Sequence, residues 1–176
     1  MMALLGWDKR WQALSLPPAE AWLWLLLQLI FYALLAWKLR GRFLRWAPRR
    51  PCWRRWAGLW LVPCCLEETF WRVLLLPPPG SPNPWGAVAA STALFVLWHP
   101  LLGRVAGAEA RAAFENPRFL ALALALALLN SLHYLRFGSL WPLVVFHWVA
   151  VVVWLDLLGG VIPWTVSRPL SRSKEC

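Results

Sequence analysis

The sequence predicts an all-α membrane protein, a bundle of about five transmembrane helices around an intramembrane polar site. Three observations carry this. Hydrophobic residues make up 60% of the 176-residue chain, with 16 Trp and a positive mean hydropathy, which excludes disorder and argues against a soluble globule. The apolar residues fall into runs of about 20, the length that crosses a bilayer. A few ionisable residues sit inside those runs, where each charge costs about 2.5–3.5 kcal/mol and is by default a candidate functional group.

Residues 1–20 read as an N-terminal interfacial segment that ends at Pro17-Pro18, and Met1–Arg10 lacks the apolar core and small-residue cleavage site of a secretory leader. A membrane domain over 21–162 follows, with its motif-bearing core at about 56–158, and 163–176 form a C-terminal tail. Ala21–Trp37 is the first span, with Gln28 as a helix-packing contact. Lys38–Arg55 carries eight basic residues and no acid, which predicts a cytoplasmic loop. Its Trp46, Trp53 and Trp56 suit the membrane surface, and anionic lipid headgroups are its expected partner. The net charge of +10 does not imply nucleic acid, because basic residues flanking a span are expected in any case.

Trp56–Leu76 is the second span, and the proline-rich Pro77–Pro84 is an uncharged turn. Trp85–Leu102 is the third span, and Pro100 predicts an end or a kink directly after His99. Gly103–Arg118 reads as a loop of mixed charge. Phe119–Leu135 is the fourth span: its Ala/Leu alternation has the period of a strand, but both residues are helix formers and an isolated strand cannot cross lipid. After a tight connection at Arg136–Ser139, Leu140–Leu158 is the fifth span, ended by Gly159-Gly160 and Pro163. With the tail cytoplasmic, this layout places every basic residue except Lys9, Arg10, Arg72 and Arg136 on one side. Cys52, Cys64, Cys65 and Cys176 have no metal-ligand spacing and read as core filler, and Cys176 lacks the three following residues of a prenylation signal.

The candidate chemistry lies in Pro63–Arg72. Glu68 and Arg72 are four residues apart and stack on one helix face as a pair. Glu67 is about 100° away around the axis and free to face a neighbouring helix. His99 and His147 come from two further spans. A desolvated carboxylate and two imidazoles meeting in a partly dry site can activate a water molecule and stabilise an oxyanion. Taken singly, each has a plainer reading. A lone intramembrane His is usually a packing residue, and Glu68–Arg72 alone is a structural brace. His133 reads as structural near a membrane face, and Asp156, nine residues after His147, as a supporting or interfacial residue. The co-occurrence of these groups is what favours chemistry.

At these residues the chain resembles the CAAX protease and bacteriocin-processing (CPBP) family. Glu67-Glu68-Thr69-Phe70-Trp71-Arg72 matches its Glu-Glu-x-x-x-Arg signature, and Phe95-Val96-Leu97-Trp98-His99 its Phe-x-x-x-His element. Leu135–Pro142 followed by His147 resembles its third block. The resemblance implies a metal-independent, glutamate-type intramembrane endopeptidase acting on hydrophobic or lipidated peptides or membrane proteins. It implies Glu67 as the base that activates water, His99 as a partner in holding that water, and His147 as an oxyanion stabiliser. Glu68 and Arg72 would brace the site. One position departs from the pattern: four residues after His147 the family usually has Asn or Asp, and here stands Val151. Loss of one oxyanion donor costs about 100- to 1000-fold in rate. Asn130, a polar residue in the apolar fourth span, is a candidate substitute.

Three rival readings remain open from the sequence. A catalytically silent scaffold or immunity-type binding protein would explain Val151. A zinc hydrolase would use two histidines and a glutamate, although H-E-x-x-H is absent. A transporter would use the charged site as an ion path, but no internal repeat is evident.

Overall fold

The computed structural model describes residues 10–40 and 46–160, and among them every regular element is helical. Residues 1–9, the middle of the basic Lys38–Arg55 stretch, and the 163–176 tail therefore lie outside the described residues. Helix α1 spans Ala19–Leu39 and starts directly after an extended Pro18, with Glu20 in its first turn and Lys38 in its last, as the helix dipole favours. It buries only Ala21, Leu25 and Gln28 and exposes Trp22, Leu23, Leu26, Ile30 and Leu34 to the surrounding medium. Gln28 secures it. The Gln28 Nε2 donates to the Leu129 carbonyl at 2.8 Å, and its Oε1 lies 2.8 Å from His133 Nδ1. His133 is thus buried between two helices with its Nδ1 partnered by Gln28, in keeping with its structural reading.

The second apolar run is not one continuous helix. Helix α2 covers Trp53–Leu59, and the chain then leaves the helical region at Val62 (φ −132°, ψ 115°) directly before Pro63. A residue preceding proline is pushed to extended geometry by the ring, so Pro63 restarts the helix. The short helix α3, Leu66–Glu68, follows this break, and a wider, π-type turn over Thr69–Leu74 follows it in turn.

Helix α4, Trp85–Ala106, runs through Pro100 instead of ending there. Proline removes a single rung of the ladder, and in a spanning helix the remaining rungs have no water competing for them. The expected loop after it also contains structure. Gly107 turns the chain at φ +107°, and helix α5, Ala108–Phe114, folds back on α4, where a Cβ on Gly103 would lie 3.1 Å from Arg111 Cα. Nearby, Arg104 and Arg111 each place Nε 3.1 Å from Glu115 Oε1, and these hydrogen bonds hold the Glu115 carboxyl below the usual carboxylate range. Helix α6, Pro117–Phe137, is capped by Asn116 and closed by Gly138 in the left-handed region, against Pro79. Helix α7 is Trp141–Asp156.

Helices α1, α4 and α6 are long and apolar enough to cross a membrane. Helix α7, at about 1.5 Å per residue, reaches about 24 Å, short of the roughly 30 Å hydrocarbon core. The chain is thus a helical membrane bundle with three full-length spans, one short apolar helix and one broken segment.

Its two ends are each tied by side chains. At one end Arg10 donates to the carbonyls of Val73 and Leu74, the Leu140 amide to the Ala13 carbonyl, and the Trp141 indole to the Leu14 carbonyl. At the other, Asp156 accepts from Arg55 Nη2 and from the Trp56 indole, each at 2.6 Å, while Trp148 donates to the Trp56 carbonyl. Asp156 is therefore a latch between α7 and α2. Between the ends, Leu25, Trp71, Phe95, Leu126 and Phe146 form one buried cluster, and Cys64, Val73, Tyr134, Leu143 and Val144 belong to another. Cys52 and Cys64 are buried and Cys65 half-buried, so the core-filler reading holds for two of the described thiols.

Replacing Asp156 with Ala removes both acceptors of the latch. At about 1–1.5 kcal/mol per lost bond, thermal unfolding in detergent is expected to shift down by about 5–10 °C. A shift under about 1 °C would mean that the latch contributes nothing.

Candidate active site

The site starts from the restart at Pro63. The helical turns that follow carry Glu67 and Glu68 inward, and α4, α6 and α7 supply the walls. Glu68 and Arg72 are both 0% exposed, which neither side chain tolerates without partners. Glu68 uses both oxygens. Its Oε1 lies 2.8 Å from His147 Nδ1, and its Oε2 lies 3.3 Å from Arg72 Nε. The second is a charge contact and not an aligned hydrogen bond, since neither atom has a hydrogen-bond partner in that geometry.

The Arg72 guanidinium is held from its other side by α4. Its Nη1 donates to Ser91 Oγ at 3.1 Å, and its charge lies 5.2 Å from the Phe95 ring centre. Asn130, fully buried on α6, donates to the Leu143 carbonyl at 3.3 Å, and its amide lies beside the Glu68 carboxylate. His147, six residues into α7, therefore has one nitrogen committed to a buried carboxylate. With Nδ1–H donated to Glu68, Nε2 is the nitrogen left to act elsewhere.

Glu67 is different. It is half-buried, its Oε2 is shielded without a hydrogen-bond partner, and the Trp98 indole of α4 lies beside it. The helical offset expected from the sequence is what separates it from the Glu68–Arg72 contact. His99 stands further back. Its Nδ1 is bonded to the Phe95 carbonyl at 2.8 Å, and its ring packs 5.6 Å from Phe114 and 5.2 Å from Phe119. The Phe95 ring lies 4.8 Å from His99 and 6.1 Å from His147, so it neighbours both imidazoles. Among the described residues, no hydrogen bond or ion pair joins His99 to Glu67, Glu68 or His147.

The structure thus brings Glu68, Arg72, His147 and Asn130 together, with Glu67 alongside, and leaves His99 one phenyl ring away. Val151 is half-buried and packs against two apolar clusters, one holding Cys64 and Val144 and the other Leu59 and Leu155. Two contributors went unassigned in the sequence reading. Trp98 was hidden by the abundance of Trp. Ser91 carried a usable signal, since it lies four residues before Phe95 and eight before His99, on the same face of α4. Among the described residues, no group of three or more His, Cys, Asp or Glu side chains is arranged to hold a metal ion.

The family model described as type II CAAX prenyl endopeptidase Rce1-like matches residues 49–153, more than half of the chain, including Glu67, Glu68, Arg72, His99, Asn130 and His147. No curated protein and no solved structure matches it.

The buried pair generates a test that is independent of activity. Arg72→Met strands the Glu68 charge, at a cost of about 3–5 kcal/mol, and should sharply reduce the yield of monodisperse protein in detergent. Adding Glu68→Gln to Arg72→Met removes the stranded charge and should restore much of that yield. A double variant as poor as the single would show that Arg72 acts by packing alone.

Proposed function

Starting from the chain's membership of the Rce1-like family of type II CAAX prenyl endopeptidases, a family of proteases, we propose that it hydrolyses a peptide bond inside the membrane with a water molecule activated by Glu67 and without a metal. The observation that carries this reading is the division of labour between adjacent carboxylates. Glu68 is held by a hydrogen bond from His147 and by the charge of Arg72, whereas among the described residues no ion pair engages Glu67, whose shielded Oε2 has neither a hydrogen bond nor a charge partner. A general base must not be held in a fixed ion pair, and of the two carboxylates Glu67 is the one outside the Arg72 and His147 contacts.

In this mechanism Glu67 takes a proton from water as the oxygen attacks the scissile carbonyl. His147 Nε2, with its ring fixed through Nδ1 by Glu68, stabilises the oxyanion, and Asn130 supports it from α6 in place of the amide missing at 151. His99 shares in holding the water from α4, the helix whose Trp98 borders Glu67. The protonated Glu67 then gives its proton to the leaving amine, which returns the site to its starting state. The substrate is a prenylated or otherwise hydrophobic peptide. The Lys38–Arg55 stretch, exposed at Trp46, Arg49, Arg50, Trp53 and Arg54, lies on the cytoplasmic side with the tail and meets anionic lipid headgroups.

Val151 favours a second reading, a silent member of the family kept for binding. Its side chain belongs to the apolar contact between α7 and α2 and offers no donor.

One assay separates the two. Detergent-purified protein is incubated with farnesylated peptides, with and without a chelator. Glu67→Gln is expected to lower kcat by at least about 100-fold, with the wild-type rate indifferent to the chelator. Asn130→Ala should lower it by about 100-fold if its amide serves the oxyanion. Cleavage by Val151→Asn but not by wild type would establish the silent reading instead.

A further inference from the structure

We propose that Ser91 is a positioning residue, holding Arg72 and the widened Thr69–Leu74 turn in the geometry that keeps Glu68 on His147. The inference begins with the Trp71 carbonyl. In a regular helix it would accept from the Leu75 amide, and in a π-type turn from that of Leu76. Both of those amides turn instead to the carbonyl of Arg72. The Trp71 carbonyl is met by Ser91 Oγ, which donates to it at 2.7 Å from the neighbouring helix, with Arg72 Nη1 a further 3.4 Å contact. The same hydroxyl oxygen accepts from Arg72 Nη1 at 3.1 Å. One buried hydroxyl therefore satisfies a carbonyl displaced from the ladder and orients the guanidinium that faces Glu68.

The consequence runs through three bonds. Without the hydroxyl, the Trp71 carbonyl is a buried acceptor with a single long contact, and the turn has reason to close toward regular helix. Arg72 lies within that turn, so its Nε would shift relative to Glu68 Oε2, and Glu68 would shift relative to His147 Nδ1. Ser91 touches neither Glu67 nor His147, so its effect falls on the alignment of the site and not on substrate binding.

The assignment rests on the proposed proteolytic reading for its kinetic consequence, but not for its structural one, and the test uses both. For Ser91→Ala, kcat toward a farnesylated peptide is expected to fall about tenfold with KM within about twofold, the cost of one hydrogen bond to a charged group. Ser91→Thr keeps the hydroxyl and should recover most of the rate, while Thr92→Val, beside it on α4, should match wild type. In parallel, hydrogen exchange of the 69–76 amides should accelerate about tenfold in Ser91→Ala, return toward wild type in Ser91→Thr, and leave residues 21–37 unchanged. Unchanged exchange in Ser91→Ala overturns the proposal whether or not the protein cleaves the peptide. Where the wild type cleaves the peptide, an equal kcat in Ser91→Ala also overturns it. A wild-type protein without turnover, but with the exchange pattern above, overturns the proteolytic reading and upholds the bracing by Ser91.

Discussion

A fully buried carboxylate between an arginine and a histidine sets the terms for this protein. A lone ionised glutamate inside a membrane bundle is untenable, so Glu68 forces its surroundings to supply positive charge and donors at fixed points. Arg72 comes from its own helical segment, His147 from α7, and the Asn130 amide from α6. The relative placement of these elements is thereby specified by charge satisfaction, which apolar packing alone does poorly when the surrounding lipid is as apolar as the side chains. The same charge pairing gives the site its asymmetry: the carboxylate with two charged partners organises, and its neighbour in sequence stands outside that pairing.

The irregular backbone around this group follows from the same demand. A straight helix through Trp56–Leu76 would stack Glu68 and Arg72 but leave no freedom to adjust their reach toward α4 and α7. The restart at Val62–Pro63 and the wide turns at Thr69–Leu74 set that reach, and they release carbonyls that must find partners elsewhere. Ser91 meets the Trp71 carbonyl from α4, and Arg10 meets those of Val73 and Leu74 from the N-terminal segment. Irregular backbone at membrane depth is tolerated where its freed groups find protein partners, as the carbonyls of Trp71, Val73 and Leu74 do. Regular α4 and α6 serve as the fixed frame against which the irregular segment is braced.

Much of this was legible in the sequence because charge in an apolar run is conspicuous. Glu67, Glu68, Arg72 and His147 stand out against their neighbours, and the i, i+4 spacing sufficed to pair Glu68 with Arg72 and set Glu67 apart. Gln28 was legible for the same reason. What escaped was information held between elements. Ser91 is a small hydroxyl of a kind that often returns its hydrogen bond to its own helix, and nothing local says that it reaches Trp71 instead. His133 looked peripheral because its partner lies 105 residues away. Pro100 was expected to end or kink α4, and the helix does not end there, since a spanning helix holds its remaining bonds strongly. The break at Val62 followed from the proline rule, yet the hydropathy of the run concealed it. His99 was grouped with His147 by motif, and the structure places Phe95 beside both.

Val151 ties the question of activity to packing. It stands one turn after His147, on the part of α7 that meets Leu59 and Trp60. That contact is set by Asp156, which holds Arg55 and the Trp56 indole, and by Trp148, whose indole reaches the Trp56 carbonyl. An amide at 151 would need a partner within this apolar contact or would have to turn toward the site, and either choice competes with the closure of α2 on α7. Valine removes the competition and lets the latch close fully. In the proposed mechanism the donor would come from α6, where the Asn130 amide nitrogen donates to the Leu143 carbonyl and the side chain lies beside Glu68. Under that proposal, oxyanion support and helix closure, which a single amide on α7 would have to reconcile, would fall to two residues on two different helices.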